Sequence, residues 1–325
     1  MIRAIGAIQR AGLPDPYALQ PASSEKRFPD GAHFRIEIPS VEGPRVLEAV
    51  IDAAQRYGVD INRVSQGSGA MILTDADLSE MAAMGAAAGL EVSLFVGPRE
   101  GFGVGAHARS PDGGAQFGQI RGMRQLVYAI EDVVRAAEAG IRSFLIADLG
   151  LLTMLCEMQS AGELPLDCGW KISVAMAPSN PASLLLLERA GATSANIPSD
   201  VSIAELAEMR SVTALPIDLY LESPDSLGGV VRGNEIAELV GVGAPLHAKF
   251  GLRNSRPLYP SGEHLEAEAC MIARAKVARA AAALEWLHRF DADVVQSAPH
   301  AKGVRVPRTA GAAAEPVAVP RTSAP

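Results

Sequence analysis

Four times along the chain a helical stretch ends on a glycine that opens directly into an apolar run. The junctions are Arg56-Tyr57-Gly58-Val59, Ala88-Gly89-Leu90, Ala139-Gly140-Ile141 and Ala190-Gly191-Ala192. Glycine enters the left-handed conformation that closes a helix without a Cβ penalty, so each junction marks a helix end followed by a strand. The repetition implies alternating βα units, and its uneven spacing sets it apart from a short-period solenoid. Strands placed around these marks fall at 34–38, 61–65, 91–96, 143–147, 171–176, 193–197, 217–221 and 246–250. Helices are expected at 44–57, 75–88, 125–139, 149–161, 181–190, 203–210 and 235–240, with a long last one from about 263 to 288. Thr74 before Asp75, and Ser179-Asn180 before Pro181, read as helix caps.

Eight alternating pairs fit a doubly wound open sheet or a closed barrel. A dinucleotide fold should carry GxGxxG straight after its first strand, where this chain reads Pro39-Ser40-Val41-Glu42-Gly43. The expected fold class is therefore α/β, a single-domain (β/α)8 TIM barrel over 33–290. Residues 1–32 form an N-terminal extension, and 291–325, rich in Ala, Pro and Val, read as a disordered C-terminal tail. The excursion 97–118 is long for a βα loop and reads as a lid.

Hydrophobic residues make up 48% of the 325 and charged ones 20%, an ordinary globular balance. No apolar run is long enough to span a membrane, and the first residues lack the apolar core of a signal peptide, so a cytoplasmic protein with no membrane partner is expected. A net charge of −8 argues against a nucleic-acid partner, since no general basic surface is available for phosphates. Cys156, Cys168 and Cys270 stand far apart without CxxC spacing and read as buried thiols.

Parallel barrel strands are buried on both faces, so a charged strand residue points into the lumen rather than into the helix layer. Period-two alternation then puts Arg35 and Glu37 in the lumen from strand one, and Lys171 and Ser173 from strand five. Asp218, Tyr220 and Glu222 share a parity in strand seven, as do His247 and Lys249 in strand eight. Strands seven, eight and one are neighbours in a closed barrel. Glu37, Glu222 and Lys249 are thus expected side by side at the C-terminal rim, where barrel enzymes carry their chemistry. Glu37 and Glu222 are the acid/base candidates and Lys249, held cationic between them, the electrostatic partner. The loops after strands seven and eight often bind phosphate, which brings in Gly228, Gly229, Arg253 and Asn254, with Arg253 as the anion clamp. Arg35, Gln66, Asp148 and Asn196 complete the substrate-binding set. Two alternatives stay open: the lumen charges form a buried network that fixes register, and Gly228-Gly229 form a plain turn.

No cofactor is specified. Glu37, Asp148, Glu222 and Gln66 offer oxygen ligands to a divalent metal, Mg²⁺ or Mn²⁺, against which the intervening lysine competes; no metal-ligand motif is present. The segments Ala139-Gly140-Ile141, Ile146-Ala147-Asp148, Asn196-Ile197-Pro198-Ser199, Ile203-Ala204-Glu205-Leu206 and Leu219-Tyr220-Leu221-Glu222 follow one another in an order that resembles the U32 peptidase-like barrel family. The resemblance covers less than half the chain and implies a barrel and a peptidase-like hydrolase. The family's cysteine-containing signature is absent after Leu221-Glu222. The leading expectation is an enzyme acting on a small anionic substrate, a carboxylate or phosphate metabolite, by acid/base chemistry of lyase or isomerase type. The alternatives are the hydrolase and a non-catalytic binding or assembly subunit; a homo-oligomer is an open option.

Overall fold

The computed structural model describes residues 21–309 apart from 104, 112, 291 and 292, together with the isolated residues 5 and 10. Eight parallel strands close into a barrel in sequence order, β8 pairing with β1. They are β1 (Phe34–Pro39), β2 (Arg63–Ser65), β3 (Glu91–Phe95), β4 (Ser143–Ile146), β5 (Gly169–Ile172), β6 (Ser194–Asn196), β7 (Ile217–Glu222) and β8 (Leu246–Phe250). The intervening helices are α1 (Pro44–Tyr57), α2 (Asp75–Ala88), α3 (Gly122–Glu138), α4 (Leu149–Ser160), α5 (Pro181–Arg189), α6 (Ile203–Val212) and α7 (Ile236–Gly243). The last helix, α8 (Glu266–Phe290), lies along α1. The chain is a (β/α)8 barrel.

Local chemistry explains the boundaries. Gly58 and Gly89 cap α1 and α2 at φ +64° and +67°, as the junction glycines imply. Thr74 and Ser202 close capping boxes with Asp77 and Glu205. Strand five is expected to run to 176 but stops at Ile172, because Ser173 caps a short turn over Val174–Met176 by accepting from the Ala175 amide. Between strands and helices lies the main core, with Ile36, Ile38, Val64, Val92, Phe144 and Trp170 on the strand side. Among the described residues no helix is long and apolar enough to cross a membrane.

The floor of the barrel corrects the expected tail. Residues 293–309 are ordered and run beneath the strands. Gln296 bridges to Phe34, and Asn62 Nδ2 donates to the Ser297 carbonyl at 2.8 Å. The Arg308 amide donates to Gly140 O, also at 2.8 Å. Residues 310–325 lie outside the described residues. From the other end, the extension's residues 21–32 close the same floor: Lys26 Nζ donates to Arg210 O and Thr213 O, and Phe28 packs edge-on against His247. Both segments satisfy backbone and charged groups that the strand starts would otherwise leave bare.

Candidate active site at the C-terminal mouth

Of the side chains that alternation assigns to the lumen, Glu37, Lys171, Asp218, His247 and Lys249 form one buried ionic network. Glu37 lies at its centre. Its carboxylate accepts from Ser65 Oγ at 2.7 Å and from Arg63 Nη1 at 3.0 Å, contacts Lys171 Nζ, and lies 3.4 Å from Lys249 Nζ. Arg63 also reaches Asp218 at 2.8 Å and Glu91 at 2.9 Å. Asp218 in turn meets His247 Nδ1 at 2.8 Å and accepts from Ser194 Oγ at 2.9 Å. Burial alone would raise the Glu37 and Asp218 carboxyls. The surrounding cations outweigh it, Lys171 foremost, and hold both carboxyls far below the usual range. Burial takes His247 down to about 4, so it is neutral at pH 7. Lys171, desolvated and close to Lys249, is pushed down to about 7.

Above this network Lys249 sits near the C-terminal end of β8, 2% exposed. Its ammonium donates to Asn196 Oδ1 and lies 4.3 Å from the centre of the Tyr220 ring. Asn196 is fixed in turn by donating to Ile172 O at 2.6 Å. Tyr220 forms part of the wall of a cleft of about 180 Å³ between the loops after β1, β7 and β8, together with Ser40, Asp225, Ser255, Tyr259 and Lys276. Lys276 comes from α8, is buried, donates to Pro39 O at 2.7 Å and is brought down by burial to about 8.

The expected set divides. Glu37, Lys249 and Asn196 come together. Glu222 does not join them: the β7–β8 register already puts Tyr220 beside Lys249, and a bulge beyond it sets Glu222 opposite Phe250. The Glu222 carboxylate instead accepts the Arg253 amide at 3.0 Å and lies 3.2 Å from Arg279 of α8. Arg35 belongs to the floor, where it donates to Ser297 Oγ, Lys302 O and Gly303 O and covers the Phe28 ring. Gln66 closes its own loop by bonding both ways with Gly69. Asp148 caps α4 through the Leu151 amide and also accepts from the Ile120 amide. Gly228 and Gly229 form a turn at positive φ, and Asn254 donates its amide to Asp225. The Arg253 guanidinium is 54% exposed and 3.8 Å from Asp225, too solvated to clamp an anion strongly.

The four oxygen donors considered for a metal are therefore dispersed. Among the described residues no three His, Cys, Asp or Glu side chains converge as a ligand set. Sequence reasoning left out Lys171, Arg63, Asp218 and Tyr220 as site residues, although alternation already signals Lys171, Asp218 and Tyr220. Lys276 gave no signal, because a lysine on a helix ordinarily reads as a solvated face.

No family model and no curated protein matches the chain. Among solved structures it is similar to a U32 peptidase, at 16% identity over 65% of this chain and 75% of that one, with a TM-score of 0.39. It is also similar to the YdjI aldolase of Escherichia coli K12, at 15% identity over 80% and 93%, TM-score 0.45. The carboxyl transferase domain of Rhizobium etli pyruvate carboxylase gives 13% over 87% and 52%, TM-score 0.42. At such identities these are likenesses of fold, and the chemistry has to be argued from the chain's own side chains.

Proposed function

We propose that the chain is an enzyme acting on a small anionic metabolite, a carboxylate or phosphate, by acid/base chemistry of lyase or isomerase type at the C-terminal mouth. One observation carries this reading: Lys249, fixed by Asn196 and Glu37, lies against Tyr220 where that ring forms the wall of an open cleft. A fixed ammonium in a low-dielectric site stabilises negative charge that develops on a substrate, as when a proton is removed next to a carboxylate. Glu37 is too firmly ionised, and too fully engaged with cations, to act as the base. That role passes to Lys276, which lines the cleft and has a neutral fraction near pH 8. Tyr220, kept protonated by burial, is the proton donor.

The balance of the network supports a second reading. Three lumen carboxylates, Glu37, Glu91 and Asp218, meet the basic side chains of Arg63, Lys171 and Lys249, as a purely structural network would require. Thermal unfolding of wild type and Lys249→Met, each with small phosphates, carboxylates and divalent ions, separates the two. The enzyme reading expects a ligand that raises the wild-type midpoint and leaves the variant's unchanged. Equal protection of both proteins would remove Lys249 from the site, and failure of the variant to fold at all would favour the structural network. The U32-like hydrolase reading rests on sequence order alone, and no converging set of metal donors supports it.

A further inference from the structure

We infer that Arg99, in the loop after β3, is the residue that grips the substrate's oxyanion. The inference rests on the reading above and supplies the clamp that Arg253 does not provide.

Arg99 is 2% exposed, yet none of the described carboxylates lies within ion-pair distance of it. Its one hydrogen bond is from Nη2 to the carbonyl of Gly67, and its Nε is buried with no partner. Two rings lie against the guanidinium, with the centres of Phe95 and Phe102 at 3.8 and 4.3 Å from its carbon. A guanidinium whose face is taken up by rings keeps its in-plane N–H fork for a carboxylate or phosphate.

The position belongs to the mouth. Phe95 is the last residue of β3, and with Leu145 and Ala147 it forms a small apolar cluster at the upper ends of β3 and β4. Gly118, at the end of the excursion, comes so close to Ala147 and Ala175 that a Cβ there would lie 2.7 and 3.1 Å from theirs. Below Phe95 on the same strand, Ser93 Oγ is also buried without a partner. Two buried donors without a protein partner, on one strand and its loop, each leave a place for a water, ligand or ion. The segment is held in place from outside, since Asp132 of α3 accepts the Gly97 amide at 3.2 Å. A buried cation that no described carboxylate pairs directly, with Glu42 acting on it only at longer range, on a pinned loop and against two rings, is arranged for an anion that arrives from solution.

The test is thermal unfolding of the full chain with inorganic phosphate and, separately, oxalate, at ionic strength matched with chloride. Wild type is expected to gain about 2 °C or more at roughly ten times the dissociation constant of the better anion. Whichever anion protects identifies phosphate or carboxylate as the group gripped. Arg99→Met keeps contact with both rings and should abolish the gain, while its midpoint without anion stays level or rises, because an unpaired buried charge has been removed. Arg99→Lys keeps the charge without the planar fork and should weaken the better anion by about ten-fold or more; it decides the matter if Arg99→Met does not fold.

Protection that survives in Arg99→Met or is undiminished in Arg99→Lys overturns the inference, as does a wild type that neither anion protects. Loss of protection in Lys249→Met but not in Arg99→Met overturns only the role of Arg99. The reverse pattern upholds Arg99 and removes Lys249 from the proposed chemistry.

Discussion

Glu37→Gln keeps the shape of the side chain and removes the one charge that faces Arg63, Lys171 and Lys249 together. The amide oxygen still accepts from Ser65, so the loss is one of charge compensation rather than of that hydrogen bond. Stripping one partner from a buried pair costs about 3–5 kcal/mol, chiefly because the remaining charge stays buried and unpaired. With an unfolding entropy of about 2.1 cal/mol/K per residue, a chain of 325 residues shifts by roughly 1.5 °C per kcal/mol, so the midpoint should fall by about 4–8 °C. Calorimetry at pH 7, with urea titration as a second measure, reads the change directly. Lys171→Met in the same background removes the surplus cation, and a double-mutant cycle should return a coupling of about 1–3 kcal/mol. A loss under about 1 kcal/mol for Glu37→Gln would refute the reasoning, since it would mean the lumen admits enough water to solvate three cations without their shared carboxylate.

Stability should also rise with pH on the alkaline side. Lys171 and Lys276 are brought down from 10.5 to about 7 and about 8, so between those values and 10.5 the folded state binds fewer protons than the unfolded chain. Urea midpoints should climb from about pH 7 to about pH 9.5, and Lys276→Met should flatten part of the climb; a flat wild-type profile would show these amines to be solvated. On the acid side the slope has the same sign, because Glu37, Glu91 and Asp218 are lowered and the folded state again binds fewer protons: their contribution is present above the ordinary 4.5 and 3.8 and is lost as pH falls below them. Ending the chain at residue 292 should lower the midpoint by more than about 5 °C, since the hydrogen bonds from Arg35, Asn62 and Gly140 to residues 297–308 each contribute about 1 kcal/mol. An unchanged midpoint would return that segment to the status of a tail.

Much of the barrel is legible in the sequence, because glycine at a helix end and charge on alternate strand positions are both local signals. Gly58 and Gly89 fix where α1 and α2 stop to the residue. Alternation likewise puts Glu37, Lys171, Asp218 and Lys249 in one lumen. It fails at Glu222, because parity gives the face but not the register between strands: Tyr220 takes the place beside Lys249, and a bulge that no local composition announces sets Glu222 opposite Phe250. It fails differently at Arg35, which faces the lumen a layer below Glu37 as parity implies, yet serves the floor rather than a substrate. Facing the lumen does not tell floor from mouth until the partners Ser297, Lys302 and Gly303 arrive from the far end of the chain. Arg99 and Lys276 escaped for a third reason: a loop arginine and a helix lysine look solvated unless long-range packing buries them.

The strap of residues 293–309 ties the order of synthesis to the order of folding. Arg35, near the start of the barrel, finds three of its acceptors only in residues 297–303, and Gly140 finds its partner only at Arg308. A nascent chain emerging from the ribosome can therefore assemble βα units as they appear, but it must hold the first strand's buried guanidinium unsatisfied until almost all of the described residues have been made. A chain stopped before residue 293 would keep its eight strands and the part of the floor that residues 21–32 close, but would leave Arg35 without these three acceptors.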